Sequence, residues 1–314
     1  MARSVRDCEL VMRTLCTPEA AAADPVGALP VPWNAAAWKQ GAAPARGETI
    51  RVGYLMDQEF FQAAEPYHRA VQQCVVALES IPGVEVVPVR LRPGLLREAA
   101  LLYYAIMGAD GKLTSFKAGL RGEALHPMYG SLERMASMPE TVRWVLKHAL
   151  RAAGMHRPAD LLSVAHGKSA LELWQWVGKR ILLKRELLAS LAEQDIAVWV
   201  EPGFGLPALP HMAAKDLNVA ACYTFVYNLF DFPAGTLPVT QVREGECSYY
   251  APADQQDMYT SKAKAAMQGA AGLPIAVQVV GIPFTDEHVL RVMGMLETAL
   301  GDRLPAPAWE PSSQ

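Results

Sequence analysis

YTFVYNLFDFPAGTLPVT, residues 223–240, joins an aromatic-rich apolar run to a break at Asp231–Gly235 and then to a short strand, Thr236–Thr240. Pro233 fixes its own φ and Gly235 is free to take φ above zero, so the spacing predicts a sharp turn here in place of a continued helix. Asp231 reads as a turn-capping carboxylate. A second block, GLPIAVQVVG at 272–281, reads as another apolar strand broken only by Gln278. A buried amide must find partners, and we expect Gln278 to tie its strand to neighbouring backbone. The helix expected over Asp286–Leu300 opens with Asp286 and Glu287, which suit a helix N-terminus.

Working outward, Ile50–Leu55 reads as a strand. Pro66 opens a helix with Ala70, Val71, Cys74, Val75 and Leu78 on one face, Pro82-Gly83 ends it, and valine-rich Val84–Leu91 returns as a strand. Strand, helix, strand is the unit that builds a parallel sheet, so the fold class is α/β: a mixed, largely parallel β-sheet flanked by helices. A further apolar helix is predicted over Leu95–Met107. Over 139–154, Val142, Val145, Leu146, Ala149, Leu150 and Ala153 oppose Arg143, Lys147 and Arg151. That basic amphipathic helix fits either a solvated surface helix or a membrane-surface cap. Ser169–Glu193 reads as a long helix with Leu171, Trp174, Val177, Ile181, Leu182 and Leu188 at core spacing, followed by a buried strand at 196–200. At the start, Ser4 and Asp7 suggest a capping box for a helix carrying Cys8, Val11, Met12 and Leu15. Residues 17–48 are rich in Pro and Ala and read as an irregular connector wrapping a surface, not a domain boundary. Residues 305–314 read as a tail.

A chain of 314 residues with 51% hydrophobic content supports a sizeable core. Its net charge of −3 gives no bias toward nucleic acid, so no nucleic-acid partner is expected. The five cysteines include no CxxC pair and read as reduced thiols of a cytoplasmic protein. Arg3, Arg6, Asp7 and Glu9 interrupt any apolar leader, and no apolar run reaches the roughly 18 residues of a spanning helix, so the expected membrane contact is at most peripheral.

Motifs of other chemistries fail on inspection. Gly203-Phe204-Gly205 begins like a dinucleotide fingerprint, but Pro207 and Pro210 deny it the helix whose N-terminus holds a pyrophosphate. Gly167-Lys168-Ser169 ends like a phosphate loop, yet Leu162 stands where the first glycine belongs. The seven histidines lack metal-ligand spacing, so no metal and no cofactor is expected. Ser261 and Lys262 are adjacent and their side chains should diverge.

NLFDFPAG at 228–235 and GLPIAVQVVG at 272–281, in that order, resemble the C-terminal part of the amidase signature family, most closely its fatty-acid amide hydrolase branch. The likeness extends through IRVGY at 50–54 and through Arg180–Pro202. It implies one partial amidase domain over 1–314, with the N-terminal part of the fold missing and residues 135–165 as the membrane-cap or surface segment. It implies hydrolysis of (fatty acid) amides to acid plus amine or ammonia by a serine, a relay serine and a neutral lysine. None of those three falls on this sequence; the resemblance puts them upstream of Met1. The residues that carry over are Asn218, Ala221 and Phe225, and less directly Ile106 and Met107, matching walls of the family's acyl tunnel; core packing is the competing reading for each. The isolated chain is then expected to bind a small acyl amide without hydrolysing it, with a non-catalytic acyl-ligand or partner-binding protein as the alternative. Homodimers are implied too, and missing upstream strands should leave a sheet edge and an apolar face uncovered.

Overall fold

The computed structural model describes residues 2–24 and 31–301. Helices α1 (Val5–Leu15), α2 (Pro18–Ala23) and α3 (Ala35–Trp38) precede strand β1 (Ile50–Tyr54), helix α4 (Glu65–Glu79) and strand β2 (Val84–Pro88). A helical stretch follows: α5 (Leu95–Met107), α6 (Thr114–Gly119), α7 (Gly130–Ala136), α8 (Glu140–Ala152), α9 (His156–Val164) and α10 (Ala170–Glu193). Strand β3 (Val198–Pro202), helices α11 (Ala214–Leu217) and α12 (Cys222–Phe230), strand β4 (Ala234–Gln241), helix α13 (Met258–Met267), strand β5 (Pro274–Gly281) and helix α14 (Asp286–Ala299) complete the order. The tail expected at 305–314 lies outside the described residues, as does part of the connector.

The five strands form one mixed sheet in the order β2-β1-β3-β5-β4. β1 pairs in parallel with β2 and with β3, whereas β5 runs antiparallel to both β3 and β4. Helices α4 and α14 pack on one face. Because side chains alternate along a strand, Trp199 and Glu201 of β3 emerge together on the opposite face, where Tyr227 of α12 meets both.

The turn at 231–235 forms by a different device from the one expected. The left-handed residue is Asp231, with φ 58°, at the C-cap of α12. Its carboxylate does not cap its own turn: it pairs with Arg180 and with Lys184 of α10, the latter at 3.3 Å. Gly235 lies inside β4 where α14 runs close beneath it; an added Cβ would lie well short of van der Waals contact distance from Met293 Sδ, so the thioether would have to shift.

Two helices present a face other than the one expected. α10 is capped by Ser169 and Glu172 in a capping box, but its buried residues are Leu183, Leu187 and Leu191. Leu171, Trp174, Val177, Ile181 and Leu182 are exposed, Trp174 at 74%, while Leu188 is half-buried. The helix is apolar on more than one side, and the side that docks is the one whose i, i+4, i+8 line meets α5 and α12. α1 is rotated similarly. Ser4 caps it as expected, Val5 and Glu9 are buried against α14, and Val11 and Leu15 face outward. The connector holds two short helices, each with a side-chain cap, from Thr17 on α2 and Asn34 on α3.

Candidate functional site

Helix α12 organises the site. Its Phe225 is buried and lies face to face with Tyr103 of α5, ring centroids 4.1 Å apart and planes 10° from parallel, while Tyr104 meets the same ring edge-on at 5.3 Å. Offset-stacked and edge-on aromatic pairs add about 0.5–1.5 kcal/mol beyond the area they bury, so this triad joins α5 and α12 into a stiff apolar wall. Ile106 and Met107 follow on the last turn of α5, Ile106 half-buried and Met107 exposed. Asn218 and Ala221 bound the 3₁₀ turn that leads into α12; Asn218 is exposed and Ala221 half-buried. The structure thus brings Phe225 against α5 one turn from Ile106, and sets Asn218 and Ala221 at the entry to the same helix. Beside this wall, between α5, α9 and α10, runs a groove of about 450 Å³ lined by Leu101, Leu102, Val164, Trp176, Leu182 and Leu183, with Lys179 and two glutamates on its rim.

Beneath α12 lies a polar cluster with no local signature in the sequence apart from Gln278. Glu201 is fully buried. Tyr227 Oη donates to its Oε2 at 2.6 Å, and Gln278 Nε2 and Gln58 Nε2 donate to its Oε1 at 2.5 and 3.3 Å. Gln278 Nε2 also donates to the carbonyl of Tyr223 at 2.5 Å, the tie to backbone expected of it. Tyr223 Oη shares its one proton between Phe61 O at 2.8 Å and Asp57 Oδ1 at 3.0 Å, and accepts from Gln58 N at 3.2 Å. Burial pushes the Glu201 carboxyl up to about 8, against the pull of the hydrogen bonds from Tyr227, Gln278, Gln58 and Trp199. Asp57 in turn holds His68, whose Nε2 lies 2.7 Å from Asp57 Oδ2. Burial alone would lower the His68 pKa, but the bond and charge of Asp57, with Glu65 nearby, leave it raised.

A second buried cluster fixes the same segment from the side. Arg157 of α9 makes a bidentate pair with Asp257, at 2.9 and 2.7 Å, and donates to Phe60 O at 3.1 Å and to Gln255 Oε1 at 3.3 Å. Its guanidinium lies over the rings of Phe61 and Tyr259. The span 135–165 is therefore not uniform. α9 is locked into the core, whereas α8 has no buried residue and turns Val142, Trp144, Val145 and Leu146 outward.

Ser261 Oγ donates to Asp257 O while Lys262 pairs with Asp216, so the two diverge as expected. Lys168 donates to the carbonyls of Val164 and His166, and Ser169 is occupied in its cap. Gly203–Gly205 leads into bends and turns, with Gly205 against the Phe61 ring, and α11 starts only at Ala214. Among the described residues no group of three or more His, Cys, Asp or Glu is placed to hold a metal ion.

The Amidase family profile matches residues 1–290, and the chain belongs to that family. Fatty-acid amide hydrolase 1 of Sus scrofa is 29% identical over 319 aligned positions, covering 99% of this chain and 51% of that protein. Fatty acid amide hydrolase 1 of Caenorhabditis elegans is 26% identical over 275 positions, covering 86% and 46%. The chain spans about half the length of these relatives. A solved fatty acid amide hydrolase superposes with a TM-score of 0.69 at 17% identity, over 96% of this chain and 48% of that one. A 6-aminohexanoate cyclic dimer hydrolase superposes at 0.56 and 17% identity, over 96% and 54%. These structural likenesses establish the shared fold.

Proposed function

We propose that this chain forms the substrate-channel part of an amidase that hydrolyses fatty acid amides to acid plus amine or ammonia, with the serine nucleophile, relay serine and lysine base not among its residues. The stacked wall of Phe225, Tyr103 and Tyr104 carries this reading: it is rigid and apolar, as an alkyl chain requires, and offers no group for acyl transfer. Asn218, Ala221, Ile106 and Met107 extend that wall toward the surface. As an isolated polypeptide the chain binds an acyl amide and leaves it intact. The free cysteines support a cytoplasmic setting. No helix among the described residues is long and apolar enough to cross a membrane. The outward apolar residues of α8 support peripheral contact with lipid, and the exposed stripe of α10 supports pairing with a second copy.

The test treats the purified chain with a serine-directed fluorophosphonate and, separately, titrates it with a fluorescent long-chain amide. We expect saturable binding weakened by Phe225→Ala, with no covalent label. Turnover of the amide that is lost on altering a serine within this numbering overturns the proposal. Absence of an in-frame lysine and a Gly-Gly-Ser-Ser-Gly-like segment in the coding sequence upstream of Met1 favours a non-catalytic acyl-binding protein instead.

A further inference from the structure

Among the described residues the Glu201 carboxyl is enclosed by donors and by no cation. From α12 come Tyr227 and, further off, Tyr223 and Cys222; from β5 comes Gln278; from β3, Trp199; and from the 57–61 segment, Gln58 and Asp57, whose carboxylate is engaged by His68 and Tyr223. Arg157, the buried guanidinium nearby, is committed to Asp257. An ionised carboxylate in such a place has no countercharge, and a fully buried carboxyl without one keeps its proton. A protonated carboxyl needs an acceptor, and the cluster contains one without a partner. Gln58 Oε1 is buried and accepts no hydrogen bond, and it belongs to the carboxamide whose other end lies 3.3 Å from Glu201 Oε1. The oxygen and nitrogen of a glutamine amide are placed by the bonds around them. Gln278 cannot turn over, because its Nε2 is also held by the carbonyl of Tyr223. Gln58 can.

We infer that Glu201 is a neutral acid that donates its proton to the Gln58 carbonyl oxygen, making it a positioning residue that clamps α12, β3 and the 57–61 segment together. The clamp acts on the wall through α12, which carries Tyr223 and Tyr227 on its polar side and Phe225 against α5. This last consequence rests on the channel reading above, whereas the protonation of Glu201 does not.

The sign follows from linkage. The folded carboxyl binds its proton up to about pH 8 and the unfolded one only to the ordinary glutamate range, so folding takes up a proton in between. Stability from this group is fully present at low pH, falls as pH rises through that window, and levels off above the folded value. The one-proton limit is a tenfold rise in the unfolding equilibrium constant per pH unit. Denaturant melts of the full chain at steps from pH 6 to pH 9.5 should approach this slope below about pH 8 and flatten above it for the wild type relative to Glu201→Gln, which keeps size and hydrogen bonding but has no proton to lose. Parallel curves for the two proteins overturn the inference. Infrared difference spectra of the wild-type protein between pH 7 and pH 10 give a reading that needs no variant: a buried carboxylic-acid C=O stretch should be present at pH 7 and lost at pH 10. Its absence at pH 7 also overturns the inference. Affinity for the fluorescent amide should fall over the same interval in the wild type only. If the melts and spectra behave as stated while affinity does not move, the clamp stands and the channel reading fails.

Discussion

Arg157 and Asp257 face one another through two parallel N–H···O contacts with both side chains all but excluded from water, at 1% and 2% exposure. The pair joins α9 to the loop before α13, and through Phe60 O it also holds the 57–61 segment that borders the Glu201 cluster. Breaking a buried ion pair from one side leaves an uncompensated charge and costs about 3–5 kcal/mol. Arg157→Leu should therefore lower stability by that order. Arg157→Leu with Asp257→Leu should cost less than the two single changes summed, as denaturant midpoints and a double-mutant cycle will show.

Gly235→Ala places a methyl group where Met293 already sits. The long thioether can move, so the expected loss is about 1–3 kcal/mol. Met293→Ala in the same protein should recover part of it, read as thermal midpoints of the single and double variants. A neutral Gly235→Ala would show that β4 and α14 are not in close contact.

Ser169→Ala removes the side chain that accepts from Glu172 N at 3.3 Å and the hydroxyl bonded to Glu172 Oε2 at 2.8 Å. Loss of such a cap costs about 1 kcal/mol. Because α10 begins on the surface, faster amide exchange should be confined to its first turns, and exchange near Leu187 should stay unchanged.

Lys168 titrates early. Burial is the main cause, with Arg143 adding to it and Glu172 opposing, and its ammonium is lowered to about 8. Between that value and the ordinary lysine range the unfolded chain holds more protons than the folded one, so this group makes stability rise with pH, opposite to Glu201. Carbon-13 methylated lysines followed by NMR should show one resonance with a midpoint near 8, absent in Lys168→Arg.

Element positions were largely legible from the sequence. Ser169 with Glu172, Pro66, and the apolar block of 272–281 act locally, and a cap, a proline or an apolar run reads directly from neighbours along the chain. Orientation was not legible in the same way. Leu171, Trp174, Ile181 and Leu182 are as apolar as Leu183, Leu187 and Leu191, and only the position of α5 and α12 decides which set is covered. The site divides likewise. Gln278 was readable because one amide stands in an otherwise apolar strand, and Phe225 came from the resemblance. Glu201 carries a signal, an acid directly after Val198-Trp199-Val200, but a carboxylate just past an apolar strand fits solvent equally well. Its partners Gln58 and Tyr227 lie far away in the chain, as Asp257 does from Arg157, and no local pattern announces such pairings.

The strand order has a consequence for how this molecule is made. Val52 of β1 lies beside Val198 of β3, with every helix from α4 to α10 between them in the chain, and β3 acquires its other neighbour only when β5 exists. Closing so long a loop before its contacts can form slows the search. During synthesis β1 and β2 will therefore leave the ribosome as an unfinished ribbon with a bare flank, so the yield of native chains should depend on chaperones that shield that flank until β3 arrives to cover it.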